Sequence, residues 1–174
     1  MIRAAVLTIS DSVYAGRRDD LSGPAVKSRL KELGWCVAVS EVLPDEEEAI
    51  ARRLQELADS EQVSAIFTTG GTGLAARDVT PEATRRVIER EVPGLAEWMR
   101  MQGTRTTPLA QLSRAVAGTR GRVLIVNLPG SPRGALESLN AIVEVVPHAL
   151  DLLRGQTEHP EGAETASERV TSEH

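Results

Sequence analysis

The sequence predicts an α/β fold in a single domain over residues 1–155, with a mostly parallel sheet and helices on both faces. Hydrophobic period switches repeatedly between 2 and 3.6 along the chain. The strand segments are apolar on both sides, as strands covered by helices must be. Each glycine-rich or acid-bearing loop follows a strand, so parallel strands bring all of these loops to one edge, where open α/β sheets bind ligands. A chain of 174 residues, 41% apolar and 26% charged, is suited to one hydrophobic core.

The elements follow in order. "RAAVLTIS" (3–10) reads as a strand and leads into the polar loop "SDSVYAGRRDDLSGP". Ser22 and Pro24 open a helix that runs through "AVKSRLKEL" to Gly34, where glycine tolerates the left-handed C′ conformation. A second strand, "WCVAVSEVL" (35–43), precedes "DEEEAIARRLQELADS", in which Asp45 and Glu48 have capping-box spacing. "VSAIFTT" (63–69) is the third strand. After the loop "GGTGLAARDV", Thr80 reads as a helix cap and Pro81 as the first helical residue. "PGLAEWMRMQG" is helical, 104–121 is less regular, and "RVLIVNL" (122–128) is the fourth strand. "SPRGALESLNAIVEVVPHALDLLRG" closes the domain, with Pro147 as a kink or break. Residues 156–174 are polar and acidic and are expected to form a disordered tail.

Composition narrows the function. The formal charge is −5, but the tail holds five glutamates against one arginine, which leaves the body near neutral. That balance and four scattered aromatic residues argue against a nucleic-acid binder. No apolar run of about 18 residues and no signal-like start are present, so a cytoplasmic, non-membrane protein is expected. A single cysteine, Cys36, rules out an internal disulfide and reads as a buried small hydrophobe. His148, in an apolar helix, reads as a packed core or interface residue, and Met99 and Met101 beside Trp98 as core or subunit contacts.

Gly70, Gly71 and Gly73 free the backbone to approach a ligand, Thr72 adds a hydroxyl, and the helix from Thr80 offers N–H groups to an anion. The pattern suits phosphate, although a strand-ending turn would use the same residues. It is not a P-loop, since no Gly-Lys-Ser/Thr follows and residues 68–84 contain no lysine. Gly71, Gly73 and Ala76 satisfy a loose dinucleotide fingerprint, but the next helix starts too late for it. Asp45 and Asp78 follow strands and could hold Mg2+, which takes one or two carboxylates plus substrate phosphates. Their alternatives are a helix cap for Asp45 and a solvated or Arg77-paired loop acid for Asp78. Ser10, Asp11, Asp20 and Ser22 either line a pocket or form a wet loop. "NLPGSPRG" is either a rigid pocket wall or a connector.

In order and spacing, "SDSVYAGRRDDLSGP", "LPDE", "TTGGTG…RDVTPEAT", "LSR" and "NLPGSP" resemble the molybdopterin adenylyltransferase family of molybdenum cofactor biosynthesis, over about residues 3–155. The resemblance extends to the equivalent domain of gephyrin and of the plant molybdenum insertase. It implies an α/β fold that assembles as a homotrimer or hexamer. It also implies transfer of AMP from ATP, with Mg2+, to the terminal phosphate of molybdopterin, and hand-over of the product to a molybdenum insertase. Carried onto this chain, it makes Asp45 and Asp78 the catalytic pair and metal ligands. Gly70, Gly71, Thr72, Gly73 and Thr80 would bind substrate phosphate. Ser10, Asp11, Asp20, Ser22, Ser113, Pro129, Gly130, Ser131 and Pro132 would wall the pterin and nucleotide sites. The alternatives are a pterin-binding relative without catalysis and an interaction module of the same family.

Overall fold

The computed structural model describes residues 1–156, so the tail expected at 156–174 lies, after its first residue, outside the described residues. Six strands form one sheet in the order β2-β1-β3-β6-β5-β4. β1 (Arg3–Ile9), β2 (Cys36–Leu43), β3 (Ala65–Thr69) and β6 (Val123–Leu128) run parallel, and β5 (Ala117–Arg120) pairs antiparallel with β6 and with the short β4 (Arg90–Glu91). The fold is the mostly parallel α/β sheet that the alternating periods predict.

Strand alternation divides the core into two layers. On one face, Ala4, Val6, Phe67, Leu124 and Val126 pack against α2 (Ser22–Glu32), α5 (Pro93–Gly103), α6 (Pro132–Ile142) and α7 (Val146–Leu153). On the other, Ala5, Leu7, Ile66, Val123 and Ile125 meet α3 (Glu47–Asp59) and α4 (Thr80–Val87). β1, β3 and β6 are therefore almost wholly buried. Successive side chains point to opposite faces, and both faces are covered. β2 departs from that expectation. It is the edge strand and only half-buried, so Cys36 is partly exposed rather than buried.

Two helix starts differ in detail from the sequence reading. α3 begins at Glu47 with Glu46 at its N-cap and no side-chain cap bond, so Asp45 and Glu48 do not form a capping box. Asp45 is drawn away by Asp11, and Glu48 pairs with Arg86. α4 has Val79 at its N-cap, and Thr80 is already helical, because its hydroxyl donates to the Gly70 carbonyl 2.9 Å away. A short α1 (Asp11–Tyr14), capped by Ser10, lies within the first loop, and a 3-10 turn at Pro108–Leu112 falls in the segment expected to be irregular, which β5 also enters. The break expected at Pro147 falls just before it, at 143–145 between α6 and α7, and Pro147 sits in the first turn of α7, where its missing N–H costs no helix bond. Met99 is core, whereas Met101 and Trp98 are exposed. His148 is exposed on the chain surface, which excludes the core reading.

Candidate functional site

The register of β1, β3 and β6 sets Thr8 opposite Thr69 and Thr69 opposite Leu128, so these parallel strands end level. Each then releases a loop at the same edge. The loops enclose a cavity of about 440 Å³. Its floor is hydroxylated. Thr8 donates to Asp20 at 2.7 Å, and Thr69 bonds to Ser22 at 2.5 Å. The other oxygen of Asp20 accepts the Gly23 N–H, so Asp20, just ahead of the Leu21 N-cap, ties the first turn of α2 to the pocket wall.

The glycine loop passes through this cavity with little space to spare. Gly70 has φ +102°, and a Cβ there would stand 2.3 Å from the Ile9 carbonyl oxygen. Gly71 has φ +66°, and its Cβ would meet the Thr80 hydroxyl at 2.3 Å and an Asp45 oxygen at 3.1 Å. Only glycine fits either position. The Thr80 backbone N–H donates to the Gly71 carbonyl, so hydroxyl and amide together fasten the start of α4 under the loop. Thr80 is fully buried and supports the loop from beneath.

Asp45 and Asp11 hold each other. The Asp11 N–H donates to Asp45 Oδ2 and the Asp45 N–H donates to Asp11 Oδ1, both at 2.9 Å. Arg77 covers the remaining Asp11 oxygen from the glycine loop, with contacts of 2.8 and 2.7 Å. Arg77 therefore pairs with Asp11 and not with Asp78. Burial, with the nearby Asp11 and Asp78 charges, raises the Asp45 carboxyl above its ordinary range, against the pull of the Asp11 N–H. Although burial opposes it, the Asp45 N–H and Arg77 draw Asp11 below that range. Asp78 accepts the Ala75 N–H at 2.9 Å, and the same oxygen lies 2.8 Å from where a Gly73 Cβ would stand. Both Asp45 and Asp78 line the cavity. Among the described residues no three His, Cys, Asp or Glu side chains gather to hold a metal. Two hard carboxylates completed by ligand oxygens nonetheless suit Mg2+, which does not need an all-protein cage.

On the other side of the loop is a second cavity of about 270 Å³, lined largely by Ala96, Met99, Leu109, Leu112, Ala115 and Pro129. Of the sequence candidates, Ser10, Asp20, Ser22, Asp45, Gly70, Gly71, Asp78, Gly130, Ser131 and Pro132 line the acidic cavity. Thr72, Gly73, Ser113 and Pro129 line the apolar one, with Ser131 shared between the two. Asp11 and Thr80 stand behind these walls as braces. Sequence reasoning missed Thr8, Thr69 and Arg114, and it named Arg77 only as a partner for Asp78, whereas Arg77 holds Asp11. The two threonines carry a usable signal, a hydroxyl near the end of an otherwise apolar strand. Arg114 carries none beyond its place beside Ser113, yet it donates to the Gly73 and Asp78 carbonyls and pairs with Glu82, whose carboxyl it holds below its usual range.

Residues 5–148 match the family described as probable molybdopterin binding domain. The molybdopterin adenylyltransferase of Helicobacter pylori is 41% identical over 156 residues, covering 88% of this chain and 89% of its own. That of Escherichia coli is 36% identical over 168 residues, covering 88% and 86%. The crystal structure of the molybdopterin biosynthesis enzyme MoaB from Thermus thermophilus superposes with a TM-score of 0.84 at 54% identity, over 89% of this chain and 98% of that one.

Proposed function

As the chain belongs to the family of probable molybdopterin binding domains, we propose that it is a molybdopterin adenylyltransferase of molybdenum cofactor biosynthesis. An oxygen of the molybdopterin terminal phosphate attacks the α-phosphorus of ATP, the bond from that phosphorus to the β-bridging oxygen breaks, and pyrophosphate leaves. The observation that carries this reading is the pairing of an acidic cavity with an apolar one across a single glycine loop. Charge and a flat ring can then be held side by side.

The chain's own groups have positioning work to do. The attacking phosphate oxygen is already largely deprotonated near neutral pH, so no strong general base is needed. Asp45 and Asp78 would hold Mg2+, which when bound offsets the charge developing on the pyrophosphate. Gly70 and Gly71 let the backbone come close to phosphate oxygens, and the N-termini of α2 and α6 border the same cavity. The apolar cavity would receive a substrate ring and keep water from it. Exposed Trp98 and Met101 offer apolar surface for the proposed homotrimer. The adenylylated pterin would pass to a molybdenum insertase.

The test is to incubate the purified protein with molybdopterin, ATP and Mg2+, follow pyrophosphate release and detect adenylylated molybdopterin by mass spectrometry. Product from the wild type and little from Asp78→Asn is expected. Pterin binding without product would make the chain a non-catalytic relative.

A further inference from the structure

The segment between Gly73 and Asp78 carries both Arg77 and Asp78, yet Leu74 to Arg77 are all exposed. A loop of that kind holds a catalytic carboxylate in place only if its two ends are fastened. Arg114, just after the 3-10 turn, reaches both ends. Its Nε donates to the Gly73 carbonyl at 2.7 Å and its Nη2 to the Asp78 carbonyl at 2.6 Å. Its backbone N–H donates to the Thr72 carbonyl at 2.9 Å. Glu82, in the first turn of α4, pairs with Nη1 and fixes the direction of the guanidinium.

We propose that Arg114, oriented by Glu82, is the positioning residue for Asp78, clamping both ends of the 73–78 loop so that the carboxylate is set before substrate arrives. Arg114 does not itself line the acidic cavity, so it acts through the loop. A guanidinium presents several donors in a rigid fork, whereas an ammonium is a point charge and cannot span the two carbonyls in the same way. The loop therefore depends on arginine specifically. A misplaced reacting group is costly because positioning accounts for much of the rate in phosphoryl transfer. The effect on turnover rests on the adenylyl-transfer reading, while the clamp itself does not.

The experiment compares Arg114→Lys, Arg114→Ala and Glu82→Gln by amide hydrogen exchange and by steady-state kinetics. The informative amide is that of Ala75, which donates to Asp78. Expected for Arg114→Lys are exchange at Ala75 at least about tenfold faster, cooperative unfolding retained, kcat lowered about tenfold or more, and both KM values within about threefold of wild type. Millimolar guanidinium should restore part of the turnover of Arg114→Ala, which loss of general stability would not explain. If Arg114→Ala does not fold, the lysine and glutamine variants decide. Unchanged exchange at Ala75, or a kcat for Arg114→Lys within about twofold of wild type, overturns the proposal. If the wild type itself transfers no AMP, the functional reading fails instead. Exchange at Ala75 then decides the clamp alone, faster exchange supporting it and unchanged exchange overturning it.

Discussion

The two cavities beside the glycine loop differ in material although they share Ser131 and a common wall. The acidic one is walled by loops leaving parallel strands, floored by hydroxyls bonded to Asp20 and Ser22, and faced by Asp45 and Asp78. The apolar one is walled by α5, the 3-10 turn and the residues before β5, and is mainly aliphatic. In the first, polar groups are fixed in advance by bonds to one another, so they can meet charge without reorganising. In the second, shape and water exclusion are what the protein supplies. The difference suggests a division of labour in which one cavity governs the chemical step and the other governs binding of a ring.

The largest effect should come from removing the charges. Asp45→Asn combined with Asp78→Asn is expected to lower kcat about a hundredfold or more, and Asp78→Asn alone about tenfold or more, measured by pyrophosphate release. The Asp78→Asn fold should survive, with less than about 1 kcal/mol lost. Ala110, in the 3-10 turn, also lines the apolar cavity, and filling that cavity with Ala110→Trp should raise the KM of the substrate whose ring enters it about tenfold and leave kcat within about threefold. If neither KM moves, that cavity takes no part.

A smaller effect, of opposite sign, sharpens the same contrast. Because burial raises the Asp45 carboxyl, its ionised form costs stability at neutral pH. Asp45→Asn should therefore unfold at slightly higher denaturant concentration, by less than about 1 kcal/mol once solvent screening is allowed for. Asp11 and Glu82 are shifted the other way. Their folded-state values lie below the unfolded ones, so the stability they contribute is present above the ordinary carboxylate range and is lost as pH falls through the lowered values. In the Asp45→Asn background, where the opposing Asp45 titration is absent, denaturant midpoints measured from neutral pH downward should thus hold until about pH 4 and then decline. The smallest effect belongs to the far edge of the sheet. Asp59→Asn, which weakens the exposed pair with Arg120, should leave both kcat and KM unchanged.

What the sequence makes legible follows the range of the interactions involved. β1, β3 and β6 are buried on both faces, so their apolar runs announce them. Gly70 and Gly71 are legible because their backbone conformations exclude side chains. β4, two residues long, exists only through its pairing with β5, and nothing local marks it. The helix caps mislead for a related reason. Asp45 has the right local spacing for a cap, but Asp11, 34 residues earlier, takes its carboxylate. Thr80 has the right position too, and the Gly70 carbonyl takes its hydroxyl. In both cases a tertiary partner displaces a local one, and it does so at the candidate site.

The division of labour is tested most directly by kcat and both KM values for wild type, Asp78→Asn, Ala110→Trp and the double variant. A loss confined to kcat is expected in the first variant, a loss confined to one KM in the second, and the two losses combining independently in the double variant. If both single variants lower kcat alike, or if the double variant is no worse than either, the two cavities act as one site and no division of labour exists between them.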